Sequence, residues 1–137
     1  MKPLRIQIPT SLKYLSTARE SICSFGEHFK ISDEIIYDIV TAVDEALSNI
    51  IEHNYNNTPD GAIAIELFKD MKKIRIIVED KGSNYSFNPP DSGVIEKRIE
   101  SRCKRGFGQF LIENLSSRVR LVNSGENGNK LVLEKDL

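Results

Sequence analysis

Leu4, Ile6 and Ile8 alternate with Arg5 and Gln7 up to Pro9, the period-two pattern of a half-buried strand. From Leu12 the period becomes helical. Leu12, Leu15, Ala18, Ile22, Phe25 and Phe29 fall on one stripe, and Thr10 or Ser11 is placed to cap the helix that carries them. After a joint at Lys30-Ile31, Ser32 is placed to cap a second helix, with Asp33 and Glu34 against the positive end of its dipole. The pattern predicts that this helix runs to Tyr55, where Asn56-Asn57-Thr58-Pro59-Asp60-Gly61 is dense in turn formers.

Two strand-like runs follow, Ala62 to Lys69 and Lys73 to Glu79, and the polar joint Asp70-Met71-Lys72 predicts an antiparallel hairpin. Asp80 stands at the end of the second run. From Gly82 to Arg105 the periodicity dissolves, with at most a turn or two of helix between Val94 and Ile99. So long a span without regular structure usually serves as a lid or binding loop, or is disordered. Gly106-Phe107-Gly108 then leads into a helix over Gln109 to Ser116, apolar at Phe110, Leu111, Ile112 and Leu115. Arg118 to Asn123 and Lys130 to Lys135 read as strands around a hairpin loop, 124–129. Strands clustered in pairs predict an α+β fold, a two-layer sandwich of helices on a mixed, mostly antiparallel β-sheet.

With 137 residues the chain is the size of one domain, 1–137, and long enough to build a core without metals or disulfides. Its 39% hydrophobic and 28% charged residues are those of a soluble globular protein. A net charge of −1 gives no overall pull toward nucleic acid or an anionic membrane. Cys23 and Cys103 lack the spacing of a zinc site or a disulfide framework, which fits buried or idle thiols in a reducing cytosol. Neither a signal-peptide pattern nor a span long enough to cross a bilayer is seen.

Within the second helix, Glu45, Asn49 and His53 recur at four-residue spacing and, with Glu52, share one side; Ile36, Val43, Leu47 and Ile50 lie roughly opposite. The polar side suits either a metal ion and proton transfer or the wet face of an ordinary amphipathic helix. Gly106-x-Gly108 ahead of a helix allows backbone amides to approach a phosphate, or is a plain helix-start turn. Asp80-Lys81-Gly82 is a carboxylate beside a residue that blocks nothing, or simply a turn. Lys97, Arg98, Arg102, Lys104 and Arg105 make the long loop basic.

Taken in order, Glu45-x-x-x-Asn49 on a helix, a strand ending Asp80-x-Gly82, a basic lid and Gly106-x-Gly108 resemble the histidine-kinase-like ATPase superfamily, whose nucleotide-binding domain is called the Bergerat fold. The run Ala42-Val43-Asp44-Glu45-Ala46-Leu47-Ser48-Asn49-Ile50-Ile51-Glu52-His53, with Tyr55, is similar to the compact branch of anti-sigma-factor serine kinases, as is Gly106-Phe107-Gly108-Gln109-Phe110-Leu111-Ile112. The resemblance implies an ATP-dependent serine/threonine protein kinase. Asn49 would hold the Mg2+ that bridges the ATP phosphates, and Glu45 would be the general base. Asp80 would take the adenine amino group, with Gly82 letting the base sit close. Arg105, Gly106, Phe107 and Gly108 would contact the nucleotide, beneath a lid at about 83–105. These roles are chemically coherent. Mg2+ needs few protein oxygens when phosphates and water complete its shell. A serine hydroxyl needs a positioned base, and phosphoryl transfer is otherwise mostly positioning and charge neutralisation.

The family's partners would be a STAS-domain anti-anti-sigma protein as substrate and a sigma factor or other regulator that is sequestered, with a cytoplasmic homodimer as the working unit. Two departures stand out. Ser83-Asn84-Tyr85-Ser86 follows Gly82 where another glycine or a proline is common, and His53 stands where sensor histidine kinases carry a second asparagine. The alternatives are a nucleotide-gated binding module without turnover and a plain interaction domain.

Overall fold

The computed structural model describes residues 2–80, 118–123 and 129–137. Over these residues the order is β1 (Leu4–Pro9), a 3₁₀ turn (Leu12–Tyr14), α1 (Leu15–His28), α2 (Asp33–Asn49), a π turn (Ile50–Asn54), β2 (Ala62–Lys69), β3 (Lys73–Asp80), β4 (Arg118–Asn123) and β5 (Asn129–Asp136). The expected helix at 109–116 and the loop at 83–105 lie outside the described residues.

The strands form one five-stranded sheet in the order β1-β2-β3-β5-β4. Its four ladders among the described residues are all antiparallel. Ile63, Ile65 and Leu67 of β2 alternate into the core and lie in register with Asp80, Val78 and Ile76 of β3. The opposite face carries a cluster of charged side chains. There Lys73 Nζ lies 2.7 Å and Arg75 Nε 3.5 Å from Glu134 Oε2, while Arg118 Nε lies 3.4 Å from Glu134 Oε1. Asp70 closes the β2–β3 hairpin by accepting from the backbone amides of Lys72 and Lys73 at 2.8 and 2.9 Å, the self-bonding turn for which aspartate is suited.

Both helices pack on the other face of the sheet. Ile22 and Phe25 of α1, Ile36, Ile39, Val43 and Leu47 of α2, and Ile74, Ile76, Val78 and Leu133 of the sheet share one buried cluster. Ser32 caps α2 by accepting from Ile35 N–H at 3.4 Å. A cap is worth about 1 kcal/mol, whereas each fully buried Ile, Val or Leu contributes about 1.5–3 kcal/mol. The apolar stripe, not the cap, therefore holds α2 in place. The helices cross closely at Gly26, where a Cβ would come within 2.5 Å of the Ile36 side chain. Lys135 Nζ of β5 adds a half-buried tie to Asp38 Oδ2 of α2 at 3.1 Å.

Two boundaries differ from the sequence pattern. The first helix does not start at its expected cap: the chain makes a 3₁₀ turn over Leu12–Tyr14, Ser11 makes no side-chain cap, and Leu12 is left 41% exposed. The second is not one continuous α-helix to Tyr55. Its last turn widens into a π turn, and the chain leaves through Asn56 and Asn57, both at positive φ (48° and 62°). Asparagine tolerates that left-handed conformation better than most residues.

Candidate functional site

Glu45 and Asn49 both sit in the last turns of α2, four residues apart and therefore on nearly the same side, each half-buried. Their neighbours Ala46 and Leu47 face the core at 3% and 0% exposure, which fixes the roll of the helix. His53 and Glu52 are exposed. The spacing that aligned His53 with Asn49 belongs to a continuous α-helix. It does not extend through the π turn, where hydrogen bonds span five residues instead of four. The polar stripe of the sequence thus reduces to Glu45 and Asn49.

Asp80 ends β3, opposite Ile63 of β2. It is 2% exposed, one of two buried polar or charged residues among those described; the other is Thr10. A carboxylate so deep in the fold needs donors, because burying an unpaired charge costs far more than a hydrogen bond returns. Two are present. The Tyr55 hydroxyl donates to Oδ1 across a long 3.4 Å, and the Asn129 carboxamide donates from Nδ2 to Oδ2 at 3.3 Å. An ionised carboxylate offers about four acceptor positions, so each of its oxygens can accept from more than one donor. Among the described residues no three His, Cys, Asp or Glu side chains cluster as a metal cage. Asn49 would hold a cation in company with phosphate oxygens and water, the few-ligand arrangement that suits Mg2+.

The structure therefore joins the helix bearing Glu45 and Asn49 to Asp80 through Tyr55, which follows the π turn directly. Gly82, Arg105, Gly106, Phe107 and Gly108 lie outside the described residues. Sequence reasoning missed the links of Tyr55 and Asn129 to Asp80. For Tyr55 a signal existed, an aromatic residue just before a turn. Asn129 was read as part of a loop and proves to be the first residue of β5.

One further carboxylate departs from ordinary behaviour. Asp44, beside Glu45, has Oδ1 shut off from solvent and without a hydrogen bond, with Arg19 Nε of α1 3.5 Å away. Burial pushes its carboxyl above the usual value, and the arginine offsets this in part.

The profile of the histidine kinase-like ATPase domain family matches residues 8–135. Among relatives, the serine-protein kinase RsbW of Listeria monocytogenes is 30% identical over 122 residues, 86% of this chain and 78% of its own length. That of Oceanobacillus iheyensis is 29% identical over 124 residues, 88% of this chain and 78% of its own. An anti-sigma F factor from Clostridium novyi is 29% identical over 122 residues, 89% of this chain and 85% of its own. Solved structures agree at the level of the fold. The structure of the RsbU and RsbW domains of Rv1364c from Mycobacterium tuberculosis superposes with a TM-score of 0.70 at 21% identity, over 98% of this chain and 32% of that one. The SiaB–SiaC complex from Pseudomonas aeruginosa gives 0.63 at 10% identity, over 98% and 89%. The α+β sandwich with a helix-borne Glu45/Asn49 pair and a strand-end Asp80 is thus a histidine-kinase-like ATPase fold. The chain belongs to that family, in its branch of anti-sigma-factor serine kinases.

Proposed function

We propose that this protein is an ATP-dependent serine protein kinase and anti-sigma regulatory factor of a partner-switching system. It phosphorylates a STAS-domain anti-anti-sigma antagonist and sequesters a sigma factor or other regulator, working as a homodimer in the cytoplasm with Mg2+. The observation that carries the reading is Asp80, a carboxylate 2% exposed at the end of β3, held by two donors and tied through Tyr55 to the helix bearing Glu45 and Asn49. Family membership and the anti-sigma relatives support the same conclusion.

Bound Mg-ATP supplies the transferable phosphoryl group. Asp80 accepts a hydrogen bond from the adenine amino group, and Gly82 leaves room for the base. Asn49 would hold the Mg2+ through its carboxamide oxygen, and the metal would neutralise phosphate charge. Glu45, one helical turn away, takes the proton from the attacking serine hydroxyl, so that the nucleophile does not carry it into the transfer. Gly106 and Gly108 would lend backbone amides to the phosphates, and Arg105 and Phe107 would add contacts to the nucleotide.

Incubation with Mg-ATP and a cognate antagonist is expected to yield phosphoserine on the antagonist. Glu45→Ala is expected to bind ATP as before and to transfer about 100-fold or more slowly, the usual worth of a positioned base. Transfer at the wild-type rate by that variant would refute the role of Glu45. ATP-dependent partner affinity without any phosphate transfer would make the protein a nucleotide-gated binding module instead.

A further inference from the structure

The residues between the π turn and β2 form a brace around one phenol. Tyr55 is 3% exposed. Its carbonyl accepts from Thr58 N–H at 2.8 Å and from the Thr58 hydroxyl at 2.6 Å. Asn57 N–H donates back to the Ile51 carbonyl at 2.9 Å, closing the π turn beneath it. On the ring side stands Gly61, where a Cβ would lie 2.2 Å from Tyr55 Cε1 and 2.8 Å from Cδ1 and Cζ. Gly61 is itself fixed by Thr10, which is fully buried just beyond β1. Gly61 N–H donates to Thr10 Oγ1 at 3.0 Å, Thr10 N–H donates to the Gly61 carbonyl at 3.1 Å, and the Thr10 hydroxyl donates to the Thr58 carbonyl at 2.6 Å. Two stretches of chain, 51–61 and Thr10, thus immobilise a ring whose hydroxyl points at Asp80 Oδ1.

We propose that Tyr55 is a positioning residue for base recognition, its hydroxyl orienting the Asp80 carboxylate toward a purine's exocyclic amino group. The proposal rests on the nucleotide-site reading of Asp80 given above. Its physical content is preorganisation. With Oδ1 held by a fixed phenol and Oδ2 by Asn129, the carboxylate has little torsional freedom left to lose on meeting its ligand. A brace that reaches from the end of β1 through a glycine to a single hydroxyl exceeds what chain closure at a helix end requires, since Asn56 and Asn57 already provide the turn.

The test compares ATP with purine riboside triphosphate, which lacks only the amino group, by calorimetry on the full chain. Tyr55→Phe keeps the ring seated on Gly61 and removes the hydroxyl alone. It is expected to weaken ATP binding by about 3- to 10-fold, the range of one hydrogen bond, and to leave binding of purine riboside triphosphate within about twofold. The discrimination ratio then falls, which a merely structural role would not produce. An equal loss for both nucleotides, or no change for either, overturns the proposal. Asp80→Ala, which removes both acceptor oxygens, separates the two levels of inference. If it preserves the wild-type ratio, Asp80 does not read the base, and the site assignment fails along with the role of Tyr55. If it abolishes the ratio while Tyr55→Phe leaves it intact, the role of Tyr55 alone is wrong.

Discussion

Gly61→Ala measures how tightly the Tyr55 ring is held. The added methyl would sit 2.2 Å from Cε1 and 2.8 Å from both Cδ1 and Cζ, so it meets one whole edge of the ring. The ring is 3% exposed and has no open solvent to swing into. Overpacking at such a place costs about 1–3 kcal/mol. Against this, replacing glycine by alanine where the backbone permits it stabilises by about 0.4–1 kcal/mol through the unfolded chain. The steric cost is the larger, and a net loss of about 0.5–2 kcal/mol is expected. For a chain of 137 residues this corresponds to a fall in Tm of about 2–8 °C. Thermal unfolding followed by far-ultraviolet circular dichroism reads it directly. Because the clash involves a named partner, a double-mutant cycle with Tyr55→Leu should be non-additive by about 1 kcal/mol, the cavity of one substitution accommodating the methyl of the other. A Gly61→Ala protein that melts at or above the wild-type temperature, or a cycle that adds without coupling, would refute the contact.

Two carboxylates should move stability in opposite directions with pH. The Asp44 carboxyl is raised by burial, so its charge is a cost in the folded state at neutral pH; this cost sets in as pH rises through the unfolded value, about 3.9, toward the folded one. Asp44→Asn should accordingly melt at or above the wild-type temperature at pH 7, with the advantage vanishing in acid, and lower stability at pH 7 would show that the Arg19 pair outweighs desolvation. The Glu134 carboxyl is held low, first by its hydrogen bond to Lys73 and further by Arg118. Its contribution is present above the unfolded value, about 4.3, and is lost as pH falls through the folded one. Glu134→Gln should therefore melt below wild type at pH 7, the gap closing at low pH, and a pH-independent gap would assign the effect to packing.

The apolar stripes were the readable part of this fold. Ile22, Phe25, Val43, Leu47, Ile74, Ile76 and Val78 were all placed by periodicity alone, and all are buried. Glu45 and Asn49 were readable for the same reason, since four-residue spacing inside a regular helix is a reliable guide to side. The departures begin where regular hydrogen bonding does. No local preference of Ile50-Ile51-Glu52-His53-Asn54 announces the π turn, which runs into the loop that Thr10 and Gly61 hold. Ser11 likewise looked like a cap, but the chain enters α1 through a 3₁₀ turn. The donors to Asp80 were hidden more deeply. Tyr55 lies 25 residues before it and Asn129 lies 49 after it, so only the folded sheet brings the three together.

That separation has a kinetic consequence. The β2–β3 hairpin and the α1–α2 pair are local and can form early. Two other ladders are remote: Leu4 of β1 pairs with Leu67 and Lys73 of β3 with Asp136, each 63 residues apart (67 − 4 and 136 − 73). Closing such loops is slow relative to helix or hairpin formation. As the chain leaves the ribosome, Asp80 emerges after Tyr55 and well before Asn129, so its second donor arrives only when β5 docks. Completion of the hydrogen bonding around Asp80 is thereby tied to completion of the sheet, and a chain interrupted before β5 leaves this buried carboxylate without its Asn129 donor.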